Sequence, residues 1–259
     1  MTEVVDLEPL LLGFLVFARV GGLLMALPVT GSRSVPAIAR LAAALPLAAV
    51  LYPTVEGTRA PATIPDLLVT SVLEVGVGVA MGFVVGLVIG ALAMASEVIG
   101  MKIGLSLGGM LDPITGTQGN PLGALSQMLA TGLFFALDMH LACVRTLGES
   151  LTTVPPGTIV APLAGGEVLL NVASSVLVLG VRLAAPVVAF AFLVNLALMT
   201  VGRMAPGLQV FFSIGMSLTL MAGMVVFAAA VPAMLMMERD ALAGLIVPIR
   251  ALLQAVSGG

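Results

Sequence analysis

Residues 74–94 read EVGVGVAMGFVVGLVIGALAM, from Glu74 to Met94, with a single charge at the start. They sit in an apolar run, Leu67–Met94, that exceeds the ~20 residues needed to cross a bilayer as a helix. The composition alternates too little for a lipid-facing barrel strand, so the run reads as a membrane helix. Within it Gly78, Gly82, Gly86 and Gly90 recur every four residues, which stacks them on one helix face. A face without side chains admits a second helix backbone at close range. Glycine is also common in membrane helices at large, so part of the ladder is background. The expectation is a close helix–helix contact, within the chain or with a neighbour.

The rest of the chain agrees. Of its 259 residues, 60% are hydrophobic and 9% charged, against about 25% charged in a soluble domain. Mean hydropathy is +1.21. A soluble core of this size cannot hide so much apolar side chain, so lipid or partner subunits must cover it. Net charge is −3 and no basic patch occurs, which argues against a nucleic-acid partner. One cysteine, Cys143, excludes an internal disulfide framework and reads as a small hydrophobe. The opening MTEVVDLEP lacks a basic n-region, so the first apolar run is expected to persist in the mature protein.

Six apolar runs are predicted, at about Leu10–Leu27, Val35–Leu51, Leu67–Met94, Leu122–Val144, Val168–Met199 and Phe211–Met237. The fold class is therefore all-α, a polytopic membrane protein of helical hairpins. Pro186 is expected to kink the fifth run by removing a backbone donor. TGSRSVP, YPTVEGTRAPATIPD, TVPPGT and RMAPGLQ supply turn chemistry between runs. Simple alternation through the membrane fails the charge test. Arg33, Arg40, Lys102 and Arg203 fall on one side, and Arg59, Arg145, Arg239 and Arg250 on the other.

Five ionisable residues lie within apolar runs: Arg19, Glu74, Asp138, His140 and Arg182. An Arg or Asp at a bilayer centre costs about 2.5–3.5 kcal/mol on insertion scales, so such groups pair or face a cavity. Arg19 and Glu74 are a candidate pair between the first and third runs. Asp138 and Arg145 would lie two turns apart on one face of a continuous helix. Asp138 and His140 are open to two readings: a proton or ion relay, or structural charges that hold helix register or sit near an interface.

Other chemistry is missing. There is no GK[ST] motif, and GVGVAMG lacks the dinucleotide glycine spacing and its strand-to-helix context. One histidine and one cysteine make a zinc site improbable, and Ser96 and Ser106 have no basic partner at a usable spacing. No enzyme, metal or cofactor is expected. Sixteen methionines and ten phenylalanines read as membrane core, where methionine seals irregular gaps.

Four blocks, in order and across nearly the whole chain, resemble the FliR-type export-gate family. They are ARVGGLLMALPVTGSRSVPAIARL (Ala18–Leu41), EVIGMKIGLSLGGMLDPITGTQGNPLG (Glu97–Gly123), LDMHLACVRTLGESLTTVPPG (Leu137–Gly157) and VNLALMTVGRMAPGLQVFFSIGMSLTLMAG (Val194–Gly223). The SRSVPAIAR block looks flagellar rather than virulence-associated. The resemblance implies a subunit of the type III protein-export gate in the bacterial inner membrane, within the flagellar basal body. Its implied partners are FliP-, FliQ- and FlhB-type subunits, exported unfolded proteins and membrane lipid. It further implies a FliP-like half at residues 1–160 and a FliQ-like half at 161–259. An assembly rising above the bilayer would account for the failed charge test.

In the family, the segment matching 106–123 plugs the central channel. The resemblance thus assigns the plug to Gly108, Gly109, Met110, Leu111, Asp112, Pro113, Ile114, Thr115, Gly116, Thr117 and Gln118. The composition suits that task, because the glycines permit conformations closed to other residues and Met110, Leu111 and Ile114 can exclude water. Without the resemblance an ordinary linker is an equal alternative. Arg203 and Gln209, in the last hairpin, are expected to face neighbouring subunits or the gate entrance. The competing reading is a small-solute secondary transporter, a class marked by broken helices and midplane charges. It lacks a convincing pair of interrupted repeats here.

Overall fold

The computed structural model describes residues 7–28, 35–55, 58, 60–105, 120–158, 164–204 and 209–258. They form eight α-helices, with no strand among the described residues. Helix α1 spans Glu8–Ala26, and α2, Ala37–Leu51, runs into a 3-10 turn at Tyr52–Val55. The others are α3 (Ile64–Ile103), α4 (Pro121–Ala136), α5 (Met139–Thr153), α6 (Gly165–Met204), α7 (Gln209–Ala243) and α8 (Ile246–Ser257). The protein is all-α, as its composition predicts.

Local chemistry sets the helix ends. Thr63 and Asp66 cap α3 reciprocally. The Thr63 hydroxyl donates to Asp66 Oδ2 at 2.6 Å and accepts from the Asp66 N–H at 3.3 Å. Gly104, at φ 90, stops α3 by entering the left-handed region, and the Leu105 N–H closes back on the Gly100 carbonyl at 2.9 Å. Asn120 caps α4 through its side chain, with Pro121 in the first turn where a missing N–H costs nothing.

Five segments are long and apolar enough to cross a membrane, or six if α4 and α5 count as one bent span. α3 and α6 each have 40 residues and α7 has 35. At 1.5 Å per residue they reach about 60, 60 and 52 Å, up to twice a ~30 Å hydrocarbon core.

The chain folds as two compact units. Unit 1 takes residues 1–87, 138–174 and 243–259, and unit 2 takes 88–137 and 175–242. In unit 1, α1 packs on α2, and α8 packs on α5. In unit 2, the last turns of α3 meet α4, α6 and α7.

Two features differ from the sequence reading. The fourth apolar run is not one helix: it breaks between α4 and α5. Asp138 takes φ 54 there, a left-handed conformation that Asp tolerates better than most non-glycine residues. The two-turn spacing of Asp138 and Arg145 along one helix is therefore lost, since Asp138 precedes α5. Lastly, residues 246–257 form a helix that the run count missed. Its buried Ile249, Leu252, Leu253 and Val256 follow helical spacing.

Candidate functional site

The glycine ladder of α3 meets α1 in unit 1. A Cβ on Gly78 would run into the Arg19 carbonyl oxygen and come within 2.8 Å of the Leu23 nitrogen. One on Gly82 would lie 2.8 Å from the Leu23 carbonyl and 2.7 Å from Ala26 Cβ. From the other side, a Cβ on Gly22 would meet the Val75 carbonyl at 2.5 Å. The contacts advance together along both helices, so α1 and α3 run parallel. Further up, Gly86 would reach Ala26 and Pro28 only at 3.8 Å, and Gly90 faces open space. Only at Gly78 and Gly82 would a ladder Cβ collide with α1.

Glu74 stands one step below Gly78 on the same line of α3, and Arg19 stands below Leu23 on α1. The close approach at Gly78 thus brings the two charged side chains together. Both are fully buried, and Arg19 Nε donates to Glu74 Oε2 at 2.5 Å. The rest of the guanidinium binds the end of α5. Nη1 donates to the Ser150 carbonyl at 2.8 Å and its hydroxyl at 3.2 Å, and Nη2 donates to the Val154 carbonyl at 2.9 Å. The Ser150 carbonyl also accepts from the Val154 N–H at 2.9 Å, and carbonyls at a helix C-terminus carry negative partial charge, so a cation suits them. The second Glu74 oxygen accepts from the Gly157 N–H at 3.1 Å, delivered by a turn in which Gly157 takes φ 89. Arg19 therefore ties α1, α3 and the end of α5 through one hydrogen-bonded ion pair. That is the arrangement in which buried charges are tolerated.

A second polar cluster lies in unit 2, beside the chain ends that flank residues 106–119. The Asn120 side chain accepts from the Leu122 N–H at 3.1 Å and donates to the Ser96 carbonyl at 3.0 Å. The Ser96 and Ser126 hydroxyls share a hydrogen bond at 2.6 Å. A Cβ on Gly100 would strike the Asn120 amide, which its hydrogen bonds hold in place, and one on Gly123 would displace only the flexible end of Glu97. α4 is thereby pinned to α3 at the base of that segment.

The predicted residues distribute as follows. Arg19 and Glu74 are brought together. Asp138 is exposed at the bend and His140 is half-buried in the first turn of α5. Arg182 is exposed midway along α6, and Arg203 is exposed in its last turn. Gln209 opens α7. The assigned plug, Gly108–Gln118, lies outside the described residues.

Sequence reasoning missed Ser150, Val154 and Gly157 around Arg19, because two of these act through backbone carbonyls and one through its N–H. It also missed Asn120, although Asn before Pro at the start of an apolar run is a readable cap signal. Glu238, fully buried in α7, is a third omission. Among the described residues neither of its carboxylate oxygens has a hydrogen-bond partner.

Long apolar helices held by small-residue seams and a buried ion pair define a polytopic all-α membrane protein. Residues 10–244 match the family described as bacterial export proteins, family 1. The chain is 31% identical over 228 residues to the flagellar biosynthetic protein FliR of Caulobacter vibrioides, covering 87% of this chain and 90% of that one. Identity to the Escherichia coli K12 protein of the same name is 32% over 216 residues, covering 83% and 82%. To that of Bacillus subtilis it is 26% over 259 residues, covering 99% of each. The chain belongs to this family of FliR-type bacterial export proteins.

Proposed function

We infer that this chain works as a membrane component of the flagellar export apparatus, and within it as a subunit of the protein-export gate. With FliP- and FliQ-type subunits it forms the channel through which unfolded substrates cross the bacterial inner membrane, with an FlhB-type subunit around the gate. Its role is structural rather than enzymatic. The observation that carries this reading is the family match across residues 10–244.

Helix length supports it. α3, α6 and α7 exceed the hydrocarbon core, as expected of helices that leave the bilayer inside an assembly. Exposed Leu193, Leu196 and Met199 on α6, and Leu218, Met221 and Val225 on α7, supply apolar surface for neighbours. Residues 1–160 correspond to the FliP-like half and 161–259 to the FliQ-like half, a division by descent rather than by compactness. In this reading 106–123 plugs the closed pore, and Asn120 anchors its C-terminal end to α3. Arg203 and Gln209 face neighbours or the gate entrance.

Native mass determination of the tagged chain, co-expressed with its FliP- and FliQ-like neighbours in mild detergent, tests the reading. One copy among several of theirs is expected. A monodisperse chain that ignores those partners would favour a small-solute transporter. Deleting Met110–Gln118 is expected to let ions or small solutes leak across the membrane, and a tight membrane would remove the plug. Arg203→Glu is expected to weaken co-purification of the complex, and unchanged assembly and export would remove the interface role.

A further inference from the structure

In unit 2, α3 and α6 enclose a trough of about 650 Å³, lined almost wholly by apolar side chains. It starts where Met94 fills the space above Gly180. The lining then continues toward the C-terminal ends of both helices, to Lys102 on α3 and to Phe192 and Asn195 on α6. Small residues make the space: where Gly180 and Ala185 stand on α6, a larger side chain would occupy the trough. Lys102 and Asn195 are its two polar lining side chains. Lys102 is exposed in the last turn of α3.

We propose that this trough binds one acyl chain of an anionic phospholipid, with the lipid phosphate against Lys102. The dimensions fit. The two-walled stretch from Met94 to Lys102 is about 12 Å long at 1.5 Å per residue, close to the ~15 Å half-thickness of the hydrocarbon core. A lysine at the end of an apolar helix extends its ammonium to the headgroup level, where a phosphate is the complementary charge. The site rests on no part of the gate reading.

The test uses the full-length chain in mild detergent, with palmitoyl-oleoyl phosphatidylglycerol and its phosphatidylcholine counterpart added at equal concentration and adducts counted by native mass spectrometry. The wild type is expected to prefer the glycerol lipid, and Lys102→Gln to reduce that preference about fivefold, the worth of one lysine near an anionic surface. Lys102→Arg keeps it. Equal uptake of both lipids by the wild type, or an unchanged preference in Lys102→Gln, would overturn the proposal. Ala185→Trp fills the trough and is expected to lower adducts of both lipids, and unaltered adducts would equally overturn it. A photo-crosslinking benzoyl-phenylalanine at Val181, in cells with all partners present, is expected to gain a phospholipid mass. Crosslinking to a protein instead would assign the trough to a partner helix and end the lipid reading.

Discussion

Gly78 and Gly90 stand on the same four-residue line of α3, which swings by about 120° around the helix between them. In unit 1 a Cβ at position 78 would enter the backbone of α1, whereas in unit 2 a Cβ at position 90 meets open space. The contrast extends to the surroundings. The α1–α3 seam is closed by backbone and carries a fully satisfied ion pair, while the α3–α6 region leaves a trough between small residues. Lipid tails are as apolar as the helices, so burial alone does not drive membrane helices together. Close backbone packing and buried polar bonds must supply the difference. Unit 1 has both along one seam.

The sharpest way to break this contrast is to remove one charge from the seam. Glu74→Leu is expected to destabilise the protein by about 3–5 kcal/mol, because Arg19 stays buried without its counterion. The readout is the amount of chain in the membrane and its thermal midpoint in detergent. The double change Arg19→Met with Glu74→Leu is expected to recover most of that loss. Failure of the double variant to recover would mean that the bonds from Arg19 to Ser150 and Val154 matter more than the charge balance.

Next in size is the ladder itself. Gly78→Ala is expected to cost about 1–3 kcal/mol, the usual penalty of overpacking. Gly90→Ala is expected to be neutral or to stabilise by up to about 1 kcal/mol, since alanine favours helix over glycine. Equal thermal midpoints for the two variants would erase the distinction between the seam and the open half.

The smallest effect marks the boundary between buried and exposed charge. Arg250 on α8 and Glu149 on α5 form a two-bonded ion pair at 3.0 Å, with side chains 58% and 47% exposed. Glu149→Ala is expected to cost under about 1 kcal/mol, less at high salt. A loss as large as that of Glu74→Leu would show that α8 depends on this pair rather than on its buried leucines.

Much of this was legible beforehand. Run lengths and composition identified an all-α membrane protein, residues at fixed helical spacing identified the ladder, and ionisable residues inside apolar runs identified the candidate Arg19–Glu74 pair. The break at Asp138 was not legible, because an aspartate within an apolar run is compatible both with a helix interior and with a left-handed turn. The partners of Arg19 were hidden for another reason: carbonyls and N–H groups are present at every residue, so their use leaves no trace in side-chain identity.

The sequence by itself determined the solvent and the secondary structure. A chain with 9% charged residues must be covered by lipid or protein, and long apolar runs without water must satisfy their backbone as helices. Tertiary structure alone decided which glycines are occupied by another backbone and which face space. Periodicity is a property of one helix, whereas a seam needs two surfaces. Whether Gly78 is indispensable and Gly90 is not depends on the path of α1, which stops at Ala26 before reaching the upper half of the ladder.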